Sequence, residues 1–88
     1  METRKLEKIT KGVANHRRIE ILELLHRKQN LSVMDISREL KVNFKTISEH
    51  IRRLSHAGLV LKKNMGAAVE HTISPLGRHV LKFLRTLE

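Results

Sequence analysis

The sequence contains no cysteine, tryptophan or tyrosine, and only one proline and one aspartate, Asp35. Without cysteine the chain can form neither a disulfide nor a thiolate metal site, and this composition is compatible with a reducing cytosol. Without tryptophan or tyrosine it has no aromatic platform of the kind that stacks on unpaired bases, so single-stranded nucleic acid is a weak candidate ligand. It also has no nucleophile elbow, phosphate-binding glycine loop or paired acidic cluster, so we do not expect an enzyme.

Long hydrophobic runs are also missing. No segment approaches the roughly 18 to 20 apolar residues that span a bilayer, and the first ten residues, METRKLEKIT, lack the apolar core of a secretory signal. We therefore expect a soluble, cytoplasmic protein with no membrane partner. A chain of 88 residues makes one domain near the lower limit of a self-sufficient core, which favours a dimer.

Positive charge is abundant. Eighteen Lys and Arg against nine Asp and Glu give a net charge of +9, and the isoelectric point is about 10.7. Such a balance is the electrostatic footprint of a domain that meets polyphosphate. Charge alone fits either nucleic acid or an anionic membrane.

Hydrophobic spacing predicts four helices in the first two thirds of the chain. A short amphipathic helix covers residues 2–12, and a second helix, capped by Asn15, carries an apolar face wide enough to cross the middle of the domain. A third helix runs over 33–40 behind a capping box of Ser32 and Asp35. A fourth is capped by Asn43 and stopped at Gly58, with an inner face formed by Phe44, Ile47, Ile51 and Leu54.

The remainder predicts a β-hairpin and a last helix. Two short β-prone runs, 59–63 and 69–73, flank a turn at 64–66. Ser74 and Pro75 are a cap and a first helical residue, and an apolar stripe follows on the last helix: Leu76, Val80, Phe83, Leu84 and Leu87, with Leu81 beside it. The predicted fold class is therefore mainly α with a small β-hairpin, in the order α1-α2-α3-α4-β-β-α5.

This order is that of a winged helix-turn-helix, in which the second helix of the pair enters the major groove and the hairpin reaches the flanking backbone. On the fourth helix, positions opposite the apolar face carry polar and basic side chains suited to base edges and phosphates. The predicted DNA-contacting residues are Asn43, Lys45, Thr46, Ser48, Glu49, His50, Arg52, Arg53, Lys62 and Lys63.

Several of these residues have a second interpretation. Arg52 and Arg53 can bind phosphates or guanine, or can simply solubilise a helix. Asn43 is first a cap, and Ser48 is expected to be partly buried. Glu49 can accept from a cytosine amino group or orient Arg53 one turn later.

Four segments resemble successive signatures of ArsR-type winged-helix transcriptional regulators: ANHRRIEILELL at 14–25, LSVMDIS at 31–37, TISEHI at 46–51 and LSHAGLV at 54–60. The resemblance covers roughly residues 10 to 75. It implies a homodimeric repressor that binds an inverted-repeat operator as a single domain, 1–88. Pairing would use the terminal helices, 2–12 and 75–87, through Leu6, Ile9, Val13, Val80, Phe83, Leu84 and Leu87.

The chain departs from the metal-sensing members of that family. Where they place cysteines in the third helix, this sequence has Ser32 and Met34, and the last helix offers only His79 and Glu88 as ligands. We therefore expect no metal, no cofactor and no identifiable small-molecule ligand. Two alternatives remain: a winged-helix module that binds a protein through its last helix and nucleic acid only loosely, and a metal-responsive sensor.

Overall fold

Five helices and one two-stranded antiparallel sheet make up the computed structural model, which describes residues 1–88. None of the helices combines the length and apolar character that crossing a bilayer requires. The order is the predicted one, and the winged helix-turn-helix plan is confirmed. The elements are α1 (Thr3–Val13), α2 (His16–Arg27), α3 (Val33–Leu40), α4 (Phe44–His56), β1 (Val60–Met65), β2 (Ala68–Ile73) and α5 (Pro75–Arg85).

Side-chain caps begin α2 to α5, as the sequence predicted. The Asn15 side chain accepts from the first backbone N–H groups of α2, and Asn43 does the same for α4. Ser32 and Asp35 form a reciprocal capping box, with both hydrogen bonds at 3.0 Å. Ser74 Oγ accepts from the backbone N–H of Gly77 at 2.9 Å, and Pro75 is the first residue of α5. These caps satisfy backbone donors that the helices cannot satisfy themselves.

The turn between α3 and α4 passes through a left-handed residue. Lys41 has φ +55° and ψ +45°, a conformation in which any residue with a Cβ is strained. A glycine there would avoid a cost of about 1 kcal/mol. The lysine keeps its positive charge at the end of α3, where a cation interacts favourably with the helix dipole.

The hairpin differs from its prediction in the position of the turn. Asn64 and Met65 are paired strand residues, opposite Val69 and Ala68, so the turn at 64–66 was wrong. The loop is the two residues 66–67, and Gly66 supplies the positive φ, +65°, that a two-residue hairpin loop demands at its first position. The hairpin is consequently longer than the apolar pattern suggested.

The core lies around α2, which crosses the domain as predicted. Ile21, Leu22, Leu24 and Leu25 are all buried on that helix. They belong to one buried hydrophobic cluster whose other members include Ile36, Ile47, Ile51, Leu54, Leu59, Ile73 and Leu81. α4 is thus anchored to the core by one face, which leaves its other face to solvent.

Three apolar residues, Val13, Leu81 and Phe44, do not have the burial that the sequence suggested. Val13 was expected in a dimer interface, but it is only 8% exposed and belongs to the core, because the end of α1 packs against α4. On α5 the core contact is Leu81, expected only to flank the stripe, whereas Phe83 is 61% exposed. Phe44, expected on the inner face of α4, is 49% exposed.

A buried histidine ties the hairpin to the segment before α3. His71 and Leu31 exchange both backbone hydrogen bonds, at 2.8 and 3.2 Å. The ring Nδ1–H of His71 donates to the Leu31 carbonyl oxygen at 2.9 Å, since that oxygen can only accept. Burial, and secondarily the charge of Lys62, lowers the pKa of His71 despite this bond.

Stability should therefore fall as the pH drops below about 6.5, the ordinary pKa of histidine. The folded state holds His71 neutral, so below about pH 6.5 the unfolded chain binds more protons than the folded one. Proton binding therefore stabilises the unfolded chain relative to the folded state. Burial also lowers the pKa of His50, which acts in the same direction. Denaturant unfolding between pH 7.5 and 5 should show a shallower pH slope for His71→Asn, which keeps a donor for Leu31, and the parent slope for the exposed control His26→Asn. A parent protein equally stable at both ends of the range would contradict the prediction.

Candidate nucleic-acid interface

The outer face of α4 carries most of the predicted contact residues. Asn43 Oδ1 accepts from the backbone N–H of Lys45 at 2.7 Å and of Thr46 at 3.3 Å, which fixes the start of the helix. Opposite the buried Ile47 and Ile51, the exposed positions are Asn43, Lys45, Thr46, Ser48, Glu49, Arg52 and Arg53. Ser48 is exposed rather than partly buried, so its hydroxyl is available to a ligand.

Glu49 organises the basic part of this face. Its carboxylate accepts from Nε and Nη2 of Arg52, at 3.1 and 2.7 Å, and from Nε of Arg53 at 3.1 Å. These hydrogen bonds and charges, those of Arg52 first, lower the pKa of Glu49 to about 2. Exposed pairs of this kind contribute little to folding. Their consequence is positional, because two guanidinium groups are held side by side with unpaired N–H donors.

His50 points toward α2. Its Nδ1 accepts from Nε of Arg18 at 3.2 Å, which places the ring proton on Nε2. The charges of Arg18 and Arg17 add to burial in lowering the pKa of His50. The residue therefore borders the outer face of α4 while its ring is engaged in a contact within the domain.

The two hairpin lysines lie on different faces of the sheet. Lys62 pairs with His71 and Lys63 with Glu70, and successive strand residues point to opposite sides. Lys62 lines the groove between the hairpin and α4, together with Arg52. Lys63 is not part of that groove, so the structure brings only one of the two predicted lysines to the outer face of α4.

Phe44 is an additional candidate that the sequence interpretation had assigned to the core. It lines the same groove, of about 450 Å³, near two other exposed apolar side chains, Met34 and Val69. In the sequence, the signal that could have indicated its exposure was its position as the first residue of α4, directly after the Asn43 cap. An exposed ring here can contact the methyl group of thymine.

Apart from Val13, which lies in the core, the residues predicted for pairing fall into two groups. Leu6, Phe83 and Leu87 are exposed, by 49%, 61% and 68%. Ile9, Val80 and Leu84 are half-buried and pack against the core. The first group therefore offers the apolar surface that a partner could bury.

No group of three or more His, Asp or Glu side chains lies close enough together to hold a metal ion. His79 and Glu88, the two candidates in the last part of the chain, do not form such a group.

Comparisons place the chain among known regulators. The model of the arsR family of bacterial regulatory proteins matches residues 15–62, more than half of the chain. The transcriptional regulator HlyU from Vibrio vulnificus CMCP6 is 31% identical, with a TM-score of 0.77 over 97% of this chain and 88% of that one. A search of curated proteins finds no match.

Two further solved structures share the fold at 24% identity. The homodimeric winged helix-turn-helix DNA-binding domain Mb0332 from Mycobacterium bovis, a possible ArsR-family regulator, has a TM-score of 0.85 over 94% of this chain and 77% of that one. The transcriptional repressor PagR of Bacillus anthracis has a TM-score of 0.80 over 94% and 99% of the two chains.

Proposed function

Because this chain belongs to the ArsR family of bacterial regulatory proteins, we propose that it is a sequence-specific transcriptional regulator that inserts α4 into the major groove of double-stranded DNA. Its family and fold are those of transcriptional regulators, which are not enzymes. The observation that carries the proposal is the division of α4 into a buried apolar face and an exposed polar and basic face. A helix of this kind fits the major groove, where each base pair presents a distinct pattern of donors and acceptors.

The roles along α4 follow from position. The first-turn residues Phe44, Lys45 and Thr46 meet base edges and the adjacent phosphate. Arg53, oriented by Glu49, donates to guanine or to a phosphate one turn later, and Lys62 reaches the flanking backbone from the hairpin. Such a regulator acts in the cytoplasm, where bacterial DNA lies.

A homodimer supplies two such helices. The exposed apolar residues Leu6, Phe83 and Leu87 support pairing through the terminal helices, 2–12 and 75–87, and the similar Mb0332 domain is homodimeric. A twofold dimer would address an inverted repeat whose half-sites are spaced by about one helical turn or its multiples. PagR, which shares the fold, is a repressor, and occupation of an operator by this dimer would repress transcription in the same manner.

Selection of duplexes from a random pool, followed by titration, tests this proposal. A preferred sequence bound at least about a thousandfold more tightly than random duplex would support a sequence-specific regulator. Uniform weak binding to every duplex would overturn it and favour a protein-interaction module with loose affinity for nucleic acid. Unchanged affinity and thermal stability on addition of Zn²⁺ would exclude a metal-responsive sensor.

Arg53→Ala should weaken binding to the selected duplex by about 1 to 3 kcal/mol if the guanidinium contacts a base, with relaxed preference at one position. Fluorescence anisotropy on the selected duplex and on single-base variants measures both effects. Arg27→Ala, which removes the same charge from an exposed position on α2, is the matched control and should change affinity far less. Equal affinities for Arg53→Ala and the parent would show that the reading face has been assigned incorrectly.

A further inference from the structure

A cleft rich in positive charge lies between the C-terminal half of α1, the start of α2 and the C-terminal half of α4. Its volume is about 320 Å³, within the lower range of small-ligand pockets. Its cationic lining comprises Lys8, Lys11, Arg18, Arg52 and Arg53, and Glu7 is its only carboxylate. The predicted DNA contacts of α4 include Arg52 and Arg53, but they do not account for Lys8, Lys11 and Arg18 beside them.

Arg18 is held rigidly at the edge of this cleft. Its Nη1 donates to the carbonyl oxygens of Lys11 and Gly12, at 2.9 and 3.1 Å, in the last turn of α1. Its Nε donates to His50 Nδ1 on α4. Three of the five guanidinium N–H groups are therefore used within the domain, and the two on Nη2 have no hydrogen-bond partner in the protein.

Arg53 contributes further unpaired donors. Only its Nε is bonded, to Glu49, so both of its Nη groups remain free. The charge of Arg53 also lowers the pKa of Arg18, after burial as the larger cause, which shows that the two cations oppose each other. Glu49 offsets this repulsion in part, but it is already shared between Arg52 and Arg53.

The close approach of two helices forms the base of the cleft. Gly12 on α1 lies against Ala57 just after α4, so near that a Cβ on Gly12 would overlap the alanine methyl. Small residues here bring the backbone of α1 next to the basic end of α4. The arrangement leaves an open, positively charged space where longer side chains would have filled the contact.

We propose that this cleft binds a phosphate group, which accepts hydrogen bonds from Arg18 Nη2 and from Arg53 and is neutralised by Lys8 and Lys11. A phosphate matches the geometry because guanidinium groups bind its oxygens through paired N–H donors. The group can come from the DNA backbone or from a free phosphorylated compound. In either case the bound anion would join α1, proposed for pairing, to α4, proposed for reading DNA.

The first arm of the test uses pyrophosphate and the full chain, without DNA. Titration followed by ¹H–¹⁵N NMR should shift the Gly12 and Ala57 amides and the Arg18 Nε signal in a saturable manner. The double variant Lys8→Gln/Lys11→Gln should bind about tenfold more weakly, since it removes two charges. Glu7→Gln should bind more tightly. All three substituted residues are exposed, so the fold should be retained.

The matched control is Arg4→Gln/Lys5→Gln, which removes the same charge from exposed positions of α1 that do not line the cleft. We call Lys8→Gln/Lys11→Gln the cleft variant. If pyrophosphate binding is weakened in the cleft variant and kept in the control, the result supports the site with a free phosphorylated ligand. Equal loss in both variants would show that pyrophosphate is held by diffuse attraction only and would exclude a free phosphorylated ligand.

The second arm identifies a backbone phosphate and rests on the proposed DNA binding. The slope of log affinity against log salt for the selected duplex should become shallower by about 1 per protomer in the cleft variant, but not in the control. This change without pyrophosphate binding supports the site with DNA as the source of phosphate. The absence of both a cleft-specific pyrophosphate effect and a cleft-specific change of slope would overturn the proposal. If the protein does not bind DNA, the first arm decides alone.

Discussion

Phe83→Glu should convert the protein to a monomer and weaken its binding to a two-half-site operator by about a hundredfold or more. Phe83 is 61% exposed, so the substitution removes apolar surface from the proposed interface and leaves the core of the domain intact. A charge buried without a partner strongly opposes association. Loss of pairing also removes the advantage of holding two reading helices together. Sedimentation velocity and anisotropy measure the two effects.

The choice of position matters for this experiment. Leu84, its neighbour, packs partly against the core, so an acidic residue there would disturb folding as well as pairing. Arg85→Gln is the matched control, because it makes the same change of charge at an exposed position on roughly the opposite side of α5. An intact dimer of the folded Phe83→Glu variant would place the interface elsewhere.

Gly77→Ala should lower the free energy of unfolding by about 2 kcal/mol. A Cβ at Gly77 would overlap the backbone carbonyl oxygen of Leu59 and lie 2.7 Å from Cγ1 of Ile73, both in the buried junction of α5 with the hairpin. Overpacking against backbone costs about 1 to 3 kcal/mol or more, and alanine's better helix propensity returns only about 1 kcal/mol. Urea unfolding followed by circular dichroism measures the loss.

Gly66→Ala is the comparison that isolates the steric effect. Gly66 has φ +65° and no atoms close to a Cβ, so alanine there should cost only about 1 kcal/mol of backbone strain. Equal losses for the two variants would show that α5 shifts to accommodate the methyl group. A larger loss for Gly77→Ala would show that the α5 start is packed too tightly to move.

Local sequence signals determined the elements and their order. A cap acts on backbone N–H groups two or three residues away, so Asn15, Ser32 with Asp35, Asn43 and Ser74 could be interpreted without knowledge of the fold. The apolar spacing on α4 likewise identified Ile47, Ile51 and Leu54 as its buried face, although it wrongly included Phe44. The family resemblance rests on the same contiguous segments, and the match to residues 15–62 confirms it.

Contacts between distant segments set the details of the candidate site. The hydrogen bond from Arg18 to His50 spans 32 positions, and no local pattern predicts it. The placement of Phe44 depended on how α3 and the hairpin pack beside α4, and the separation of Lys62 from Lys63 depended on strand register. Val13 and Leu81 are buried for a similar reason, because the packing of the helices determines which apolar positions are covered.

The composition, the caps and the helical periodicity of this chain therefore specify a basic winged helix-turn-helix with a polar outer face on α4. They do so because composition is a property of the whole chain, and because caps and periodicity act over a few residues and need no partner element. The positive cleft between α1 and α4, and the exposure of Phe83, exist only once the helices pack. Which charges converge and which apolar residues remain uncovered is decided by tertiary contacts, since these bring together residues that the chain keeps far apart.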